Sequence, residues 1–115
     1  MDNIKDDQYY LAKVLDDVNR IISYVEGVDE EDFIHNEELI DAICFRIIQI
    51  EENFKLISDK FKYKNPQIQY HKIKGFRNRI VHEYGKIDYH IVYLTAKNDM
   101  IELKKLLENA TLWKF

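Results

Sequence analysis

Residues 39–61 read Leu-Ile-Asp-Ala-Ile-Cys-Phe-Arg-Ile-Ile-Gln-Ile-Glu-Glu-Asn-Phe-Lys-Leu-Ile-Ser-Asp-Lys-Phe. Apolar side chains recur here at steps of three and four residues, which places them on one stripe of a helix. The series runs unbroken through Ile40, Ile43, Ile47, Ile50, Phe54, Ile57 and Phe61. The sequence therefore predicts one helix that begins after an Asn36 cap and continues to Phe61. Further apolar residues widen its surface, so we expect it at the centre of a bundle or between a core and a partner subunit.

Helical patterns also precede and follow this stretch. The first runs from about Lys5 to Glu26 and stops at Gly27, because glycine takes the left-handed conformation that often ends a helix. Residues 28–36 form an acidic connector. A third helix is predicted from about Gln67 to His82 or Tyr84, with Pro66 in its first turn.

A fourth helix is predicted from a cap at Asp88 to about Glu108. An apolar tail of Leu112, Trp113 and Phe115 follows it. No segment shows the alternation of a strand, and only three glycines and one proline are available for turns. We therefore predict an all-α, up-and-down bundle of four main helices in a single domain, residues 1–115.

Composition narrows the class of protein further. Cys44 is the only cysteine, so an internal disulfide is excluded and a reducing compartment is the simplest setting. The acidic N-terminus does not resemble a secretory signal, and no apolar run approaches the ~20 residues of a membrane span. We expect a cytoplasmic protein without a membrane partner.

Charge is distributed unevenly along the chain, whose net charge is −4. Residues 60–82 carry seven Lys or Arg and no Asp or Glu, whereas residues 1–59 carry five against sixteen. Clustered cations attract and hold phosphates, so this segment predicts an anionic substrate such as RNA. Lys72, Lys74 and Arg79 are the RNA-binding candidates.

The basic segment ends in Arg-Asn-Arg-Ile-Val-His-Glu-Tyr, residues 77–84. Arg77 offers a planar charged fork for a phosphate, and His82 suits proton transfer near neutral pH. RNA is cleaved without metal when a base removes the ribose 2′-OH proton and cations stabilise the attacked phosphate. Asn78 would orient the phosphate or hold the histidine.

Helical geometry complicates this site. At about 100° per residue Arg77 and Tyr84 share one face, Asn78 and His82 share another, and Arg77 lies about 140° from His82. Three solutions are open: the helix loosens before Gly85, the long arginine reaches round, or two subunits form a composite cleft. The third also explains the wide apolar surface of the central helix, so we expect a twofold homodimer.

The spacing Arg77, four residues, His82, one residue, Tyr84 resembles the R-x4-H-x-Y motif of the HepT-like toxins in the HEPN superfamily. The similarity includes residues 45–53, residues 74–88, and Ile91-Val-Tyr with Lys97-Asn-Asp99. It implies a helical homodimer with metal-independent endoribonuclease activity, the toxin of a type VII-like toxin–antitoxin system. The implied partner is a minimal nucleotidyltransferase, an MntA-like antitoxin that transfers AMP from ATP to the motif tyrosine.

Carried over to this chain, the resemblance makes Arg77 and His82 catalytic, Asn78 and Arg79 supporting, and Tyr84 the AMP acceptor. It implies no cofactor here, because ATP and Mg²⁺ would belong to the antitoxin. The chain departs from the family where Glu51-Glu52 replaces a frequent Gly-Glu and where Tyr70 replaces Trp. We expect neither departure to touch the motif, although Glu51 bears on how closely helices or subunits approach.

Simpler interpretations stay open for these residues. Arg77 would fit a surface salt bridge, His82 a helix C-terminus, and Tyr84 ordinary ring packing. The whole chain would then be a non-catalytic helical nucleotide- or substrate-binding partner of a nucleotidyltransferase, or a structural dimerisation domain. A binder needs the cations but not a histidine at this spacing, which favours the ribonuclease.

Other candidate residues remain outside the motif. The cations Lys60, Lys62 and Lys64 are either a solvated turn or a guide for RNA, and Tyr63, Tyr70 and Phe76 are candidates for stacking on bases. No His or Cys spacing suggests zinc, and Cys44 is expected to be a small buried apolar residue.

Overall fold

A computed structural model describes the backbone of residues 4–110 and the side chains of residues 6–110. In chain order the elements are α1 (Ile4–Tyr24), α2 (Glu30–Ile34), α3 (Glu37–Lys55), α4 (Asp59–Lys64), α5 (Tyr70–Glu83), a 3-10 turn (Tyr84–Lys86), α6 (Tyr89–Leu94), a π-helical turn (Thr95–Asp99) and α7 (Met100–Glu108). The predicted all-α fold is confirmed. The predicted apolar tail, Leu112, Trp113 and Phe115, lies outside the described residues.

The central position predicted for the helix after Asn36 is confirmed. Helix α3 packs against α1 on one side and α5 on the other, and α7 closes the bundle against α1. The shared core is built from aliphatic and aromatic side chains that are almost fully buried: Leu11, Val14, Val18, Ile21, Ile40, Ile43, Ile47, Ile50, Phe54, Ile80, Val92, Met100, Leu103 and Leu107. The four long helical units are α1, α3, α5 and the run from α6 to α7.

The prediction of one unbroken helix to Phe61 is wrong. Helix α3 ends at Lys55, and Ser58 caps a separate α4 by accepting a hydrogen bond from the Phe61 backbone N–H at 3.1 Å. The buried carboxylate of Asp7 in α1 accepts bonds from the Ser58 N–H at 2.8 Å and from its hydroxyl at 2.6 Å. Ile57 and Phe61 are nevertheless buried, so the three- and four-residue spacing of buried apolar residues continues across the end of α3. That spacing alone therefore does not show that the helix ends at Lys55.

Helix α5 begins later than predicted. Pro66 lies in a turn rather than in the first helical turn, which starts at Tyr70. The Asn65 carbonyl accepts bonds from the Ile68 N–H at 3.3 Å and the Tyr70 hydroxyl at 3.2 Å. Because the Ile68 side chain is buried, the chain turns inward here before the helix begins.

The acidic connector of residues 28–36 also contains a helix, α2, that the pattern did not predict. Asp29 caps it by accepting a hydrogen bond from the Asp32 N–H at 2.9 Å, and Phe33 anchors it in the core. The acidic side chains of its first turn complement the helix dipole, which accounts for part of this charge run.

The predicted caps Asn36 and Asp88 are confirmed. Their side-chain oxygens accept bonds from the Leu39 and His90 N–H groups at 3.1 and 2.9 Å. The helix after Asp88 ends at Glu108 as predicted, but Thr95–Asp99 is wound as a π-helical turn. In the part of the chain described, none of these helices has both the length and the apolar character to cross a bilayer.

Candidate active site

The motif residues 77–84 lie along a seam between α3 and α5, which run in opposite directions. Near one end the rings of Phe54 and Tyr70 meet edge to face, with centroids 5.3 Å apart. Further along, Arg77 reaches Glu52, and at the other end Tyr84 reaches Asp41. This antiparallel pairing decides which side chains of α3 surround the motif.

Arg77 is held by two partners. One terminal nitrogen donates to Asn78 Oδ1 at 3.0 Å, and the other donates to Glu52 Oε1 at 3.3 Å. The Arg77 side chain is 22% exposed, and its buried Nε has no hydrogen-bond partner within residues 6–110. An arginine has five N–H donors, so the terminal nitrogens keep donor capacity for a phosphate. Asn78 therefore contacts Arg77 directly, and its supporting role in catalysis stays a prediction.

Glu52 is a contact of the motif that was not predicted from the sequence. The departure at Glu51-Glu52 was expected not to touch the motif, and at Glu52 this is wrong, because Glu52 bonds Arg77. Its carboxylate is 45% exposed and partly neutralises the Arg77 guanidinium. A partly exposed ion pair contributes only about 0–1 kcal/mol, so a phosphate can replace it at small cost. No local signal reveals the pair, because 25 residues separate its members.

His82 is exposed on a regular part of α5 and makes no hydrogen bond or ion pair with any residue that the structure describes. Helix α5 stays α-helical through Glu83, and the 3-10 turn begins only at Tyr84. Loosening of the helix therefore does not swing His82 toward Arg77, and Arg77 reaches α3 instead. Within one chain the two predicted catalytic side chains are not brought together.

Tyr84 donates a hydrogen bond from its hydroxyl to Asp41 Oδ1 near the start of α3. Burial, reinforced by this bond, raises the pKa of the Tyr84 hydroxyl above its ordinary value. The shift keeps the phenol in the neutral form that donates this hydrogen bond to the Asp41 carboxylate. Asp41 was missed from the sequence for the same reason as Glu52, since 43 residues separate it from Tyr84.

An apolar patch separates the two polar contacts of the seam. Glu52 and Asp41 are eleven residues apart on α3, which corresponds to about 16 Å along the helix. Between them on α3, Phe45 is exposed at the edge of a groove toward α1, and Ile48 is half-buried. Val81 on α5 is exposed as well. We call Phe45, Ile48 and Val81 the seam patch.

The predicted RNA-binding cations point to two sides of α5. Lys74 lines a groove beside α3 and α4, whereas Arg79 lines another groove beside α6 and the π-helical turn. Lys72 borders both grooves and pairs with Asp99 at 3.1 Å. Of the three, Lys74 is the one on the side of α5 that leads to Arg77.

Two further candidate residues, Cys44 and Tyr70, take part in packing. Cys44 is buried, and burial raises the pKa of its thiol to about 12, so the thiolate is scarce at neutral pH. Among residues 6–110 no three His, Cys, Asp or Glu side chains converge into a possible metal site. Tyr70, which replaces the family's Trp, packs on Phe54.

Glu51 is buried although it carries a carboxyl group, with 4% of its surface exposed. Burial raises the pKa of this carboxyl, against the opposing influence of the nearby cations Lys55, Lys74, Lys62 and Arg77. The folded state therefore binds a proton more tightly than the unfolded state, and stability is lost as the pH rises through the glutamate range.

Replacement Glu51→Gln is expected to raise the free energy of unfolding at pH 7 by on the order of 1 kcal/mol, because the buried charge is removed. The gain should vanish as the pH falls below 4.5, the ordinary glutamate pKa, since the wild-type carboxyl is then neutral too. Urea denaturation across this pH range measures it. The exposed Glu102→Gln is the control, and a destabilised Glu51→Gln at pH 7 would contradict the prediction.

Comparisons with known proteins identify the family of this chain. The family described as Ribonuclease HepT-like matches residues 14–110. A Methanocaldococcus jannaschii protein named "Putative RNase MJ0125" is 31% identical over 90% of this chain and 90% of its own length. A second from that organism, "Putative RNase MJ1380", is 28% identical over 90% of this chain and 95% of its own.

A more distant relative carries the family's name. "Probable ribonuclease HepT" of Thermococcus cleftensis is 25% identical over 86% of this chain and 90% of its own length. No solved structure matches the chain significantly. The family match spans the helices that build the seam and every motif residue from Arg77 to Tyr84, and on this ground the chain belongs to the HepT-like ribonuclease family.

Proposed function

We propose that this protein is a metal-independent endoribonuclease, the toxin of a type VII-like toxin–antitoxin system. The observation that carries the proposal is the Arg77 guanidinium, held half-buried by Asn78 and Glu52, with an exposed His82 just over one helical turn away. Membership of a ribonuclease family supports RNA as the substrate.

In the proposed reaction His82 removes the proton from a ribose 2′-OH, and that oxygen attacks the adjacent phosphorus. The bond from phosphorus to the 5′-oxygen breaks, and the leaving oxygen takes a proton from water or from a second imidazole. The products are a 2′,3′-cyclic phosphate and a 5′-hydroxyl. Arg77 leaves Glu52 to stabilise the charge that develops on the phosphoryl oxygens.

The divergent directions of Arg77 and His82 favour a cleft shared by two chains. A twofold axis through the seam patch would bury Phe45, Ile48 and Val81 against their copies and bring Arg77 of one chain toward His82 of the other. We therefore propose a homodimer in which each cleft is composite.

Val81→Glu is expected to weaken this dimer by about 100-fold, because the twofold axis places two buried like charges close together. Ile101→Glu on α7 is the matched control, since Ile101 is 44% exposed and Val81 46%. Sedimentation analysis gives the dimer affinity, and circular dichroism confirms folding. A Val81→Glu protein that remains dimeric as tightly as the control would rule out this interface.

We further propose that a nucleotidyltransferase antitoxin silences the toxin by adding AMP to Tyr84. The Tyr84 oxygen attacks the α-phosphorus of ATP, Asp41 accepts the phenolic proton, and pyrophosphate leaves. ATP and Mg²⁺ are bound by the antitoxin. The attached phosphate would repel an RNA backbone at the composite cleft.

Incubation of the purified protein with RNA in excess EDTA tests the central proposal. We expect cleavage to continue and to leave cyclic-phosphate ends. Activity that appears only after Mg²⁺ is added would refute the metal-independent mechanism. RNA that is bound but left intact would identify the chain as a non-catalytic binding partner of the transferase.

A further inference from the structure

A second basic region lies next to the seam, in a groove between the end of α3, helix α4 and the first turns of α5. Its volume is about 740 Å³. Four lysines line it, namely Lys55, Lys62, Lys72 and Lys74. We call it the α4–α5 groove. Three of these lysines, Lys62, Lys72 and Lys74, belong to the acid-free segment of residues 60–82.

The groove is basic because its lysines outnumber the acids that face it. Glu51 is the acid that lines it within the described residues, and it is buried below the surface. Lys55 pairs with Glu52 and Lys72 with Asp99. Lys62 and Lys74 form no ion pair with any described residue, and the Lys62 ammonium lies over the Tyr70 ring, 5.9 Å from its centroid. Neither contact pattern uses all the N–H donors of the ammonium groups, so both lysines keep donors for phosphates.

An aromatic side chain borders the same groove. Tyr63 on α4 is 86% exposed, the highest value among the exposed large apolar residues of the described range. Tyr70, by contrast, packs its ring on Phe54 and donates its hydroxyl to the Asn65 carbonyl. Helix α4 is anchored by the buried Phe61, so the Tyr63 ring is presented from a fixed support.

The α4–α5 groove ends close to Arg77 along α5. Lys74 precedes Arg77 by three residues and Asn78 by four, and such residues share a helix face. The corresponding rise along the helix is only about 4–6 Å. A phosphate chain held at Lys74 therefore lies next to the phosphate position at Arg77.

We propose that the α4–α5 groove holds single-stranded RNA beside the cleavage site, with a base stacked on Tyr63 and phosphates on Lys62 and Lys74. The inference rests on the proposed ribonuclease function. Single strands are bound by such a combination of cations and aromatic platforms, because their bases are free to stack on a side chain. In a duplex the bases are paired and stacked internally, so Tyr63 has no partner.

Binding of a fluorescein-labelled 2′-O-methyl oligouridine of about 12 nucleotides tests the groove, since that probe cannot be cleaved through its 2′-oxygen. Tyr63→Ala is expected to weaken binding by roughly 5- to 150-fold, the effect of losing one stacked base. Tyr63→Phe should retain wild-type affinity. Tyr9→Ala is the matched control, because Tyr9 is also an exposed tyrosine but lies on α1.

The lysines are tested by the salt dependence of the same binding. Lys62→Ala and Lys74→Ala should each reduce the slope of log K against log salt by about 0.7, as for one single-strand phosphate contact. Lys60→Ala should leave the slope unchanged, because Lys60 is exposed on α4 but does not line the groove.

The outcomes separate this inference from the proposed function. Three results would overturn the groove assignment, even if the protein cleaves RNA. Tyr63→Ala could bind the single strand as tightly as wild type, Tyr9→Ala could lose as much affinity as Tyr63→Ala, or the protein could fail to bind the single strand. Equal Tyr63 dependence with a duplex probe would also overturn it. Tyr63-dependent binding by a protein that never cleaves RNA would support the groove and refute the ribonuclease.

Discussion

His82→Ala is expected to lower the rate of RNA cleavage in EDTA by about 100- to 10,000-fold, the usual contribution of a general acid or base. The side chain is exposed and makes no hydrogen bond within residues 6–110, so its removal should change the free energy of unfolding by less than about 0.5 kcal/mol. The loss of activity would then be chemical rather than structural. Single-turnover cleavage of a labelled RNA measures the rate.

His35→Ala is the matched control, because His35 is also an exposed histidine at a helix end but lies far from the motif in sequence. Arg77→Ala should cause a comparable loss of cleavage, and Arg77→Lys should restore it only partly, since a lysine keeps the charge but not the planar fork. If His82→Ala cleaves as fast as His35→Ala, the histidine is not the proton carrier.

A further test concerns mixed dimers. If the cleft is composite, Arg77→Ala and His82→Ala chains should each be inactive alone and regain cleavage when they are mixed. One of the two clefts in a mixed dimer would then contain both functional side chains. Mixtures that stay inactive despite exchange of subunits would place Arg77 and His82 of each site on the same chain.

The second large effect is expected at Tyr84. With a cognate nucleotidyltransferase, ATP and Mg²⁺, wild type should gain the mass of AMP and lose cleavage, whereas Tyr84→Phe should gain no mass and stay active. Phenylalanine keeps the ring and removes the nucleophilic oxygen, so the change isolates the acceptor atom. Intact-mass spectrometry and the cleavage assay report the two consequences separately.

Asp41→Asn tests whether the Asp41 carboxylate removes the Tyr84 proton during the transfer of AMP or only accepts a hydrogen bond from the Tyr84 hydroxyl. The amide still bonds the hydroxyl but does not take its proton, so labelling should slow by about 100-fold or more if Asp41 is the base. Tyr89→Phe is the control, because Tyr89 is a neighbouring tyrosine to which the transferase would add AMP if Tyr84 were not the acceptor. Unchanged labelling of Tyr84→Phe would move the acceptor to another residue.

Several parts of the fold were predictable because they depend on neighbours in the sequence. The caps at Asn36 and Asp88 act within one helical turn, and the apolar period of α3 describes a single helix face. The break at Ser58 was not predictable in this way. It depends on the buried Asp7 carboxylate, 51 residues earlier, which accepts two hydrogen bonds from Ser58.

The candidate site likewise has features that depend on sequence neighbours and features that depend on tertiary packing. By itself the sequence determined the all-helical class, the basic segment, the motif and the 140° between Arg77 and His82, because these follow from composition and from the fixed pitch of a helix. Only the tertiary structure decided that Glu52 holds Arg77, that Tyr84 donates a hydrogen bond to Asp41, and that Lys62, Tyr63 and Lys74 share one groove. Those contacts arise where α3, α4 and α5 pack, and apart from Ile80 the core side chains that set this packing lie outside residues 77–84.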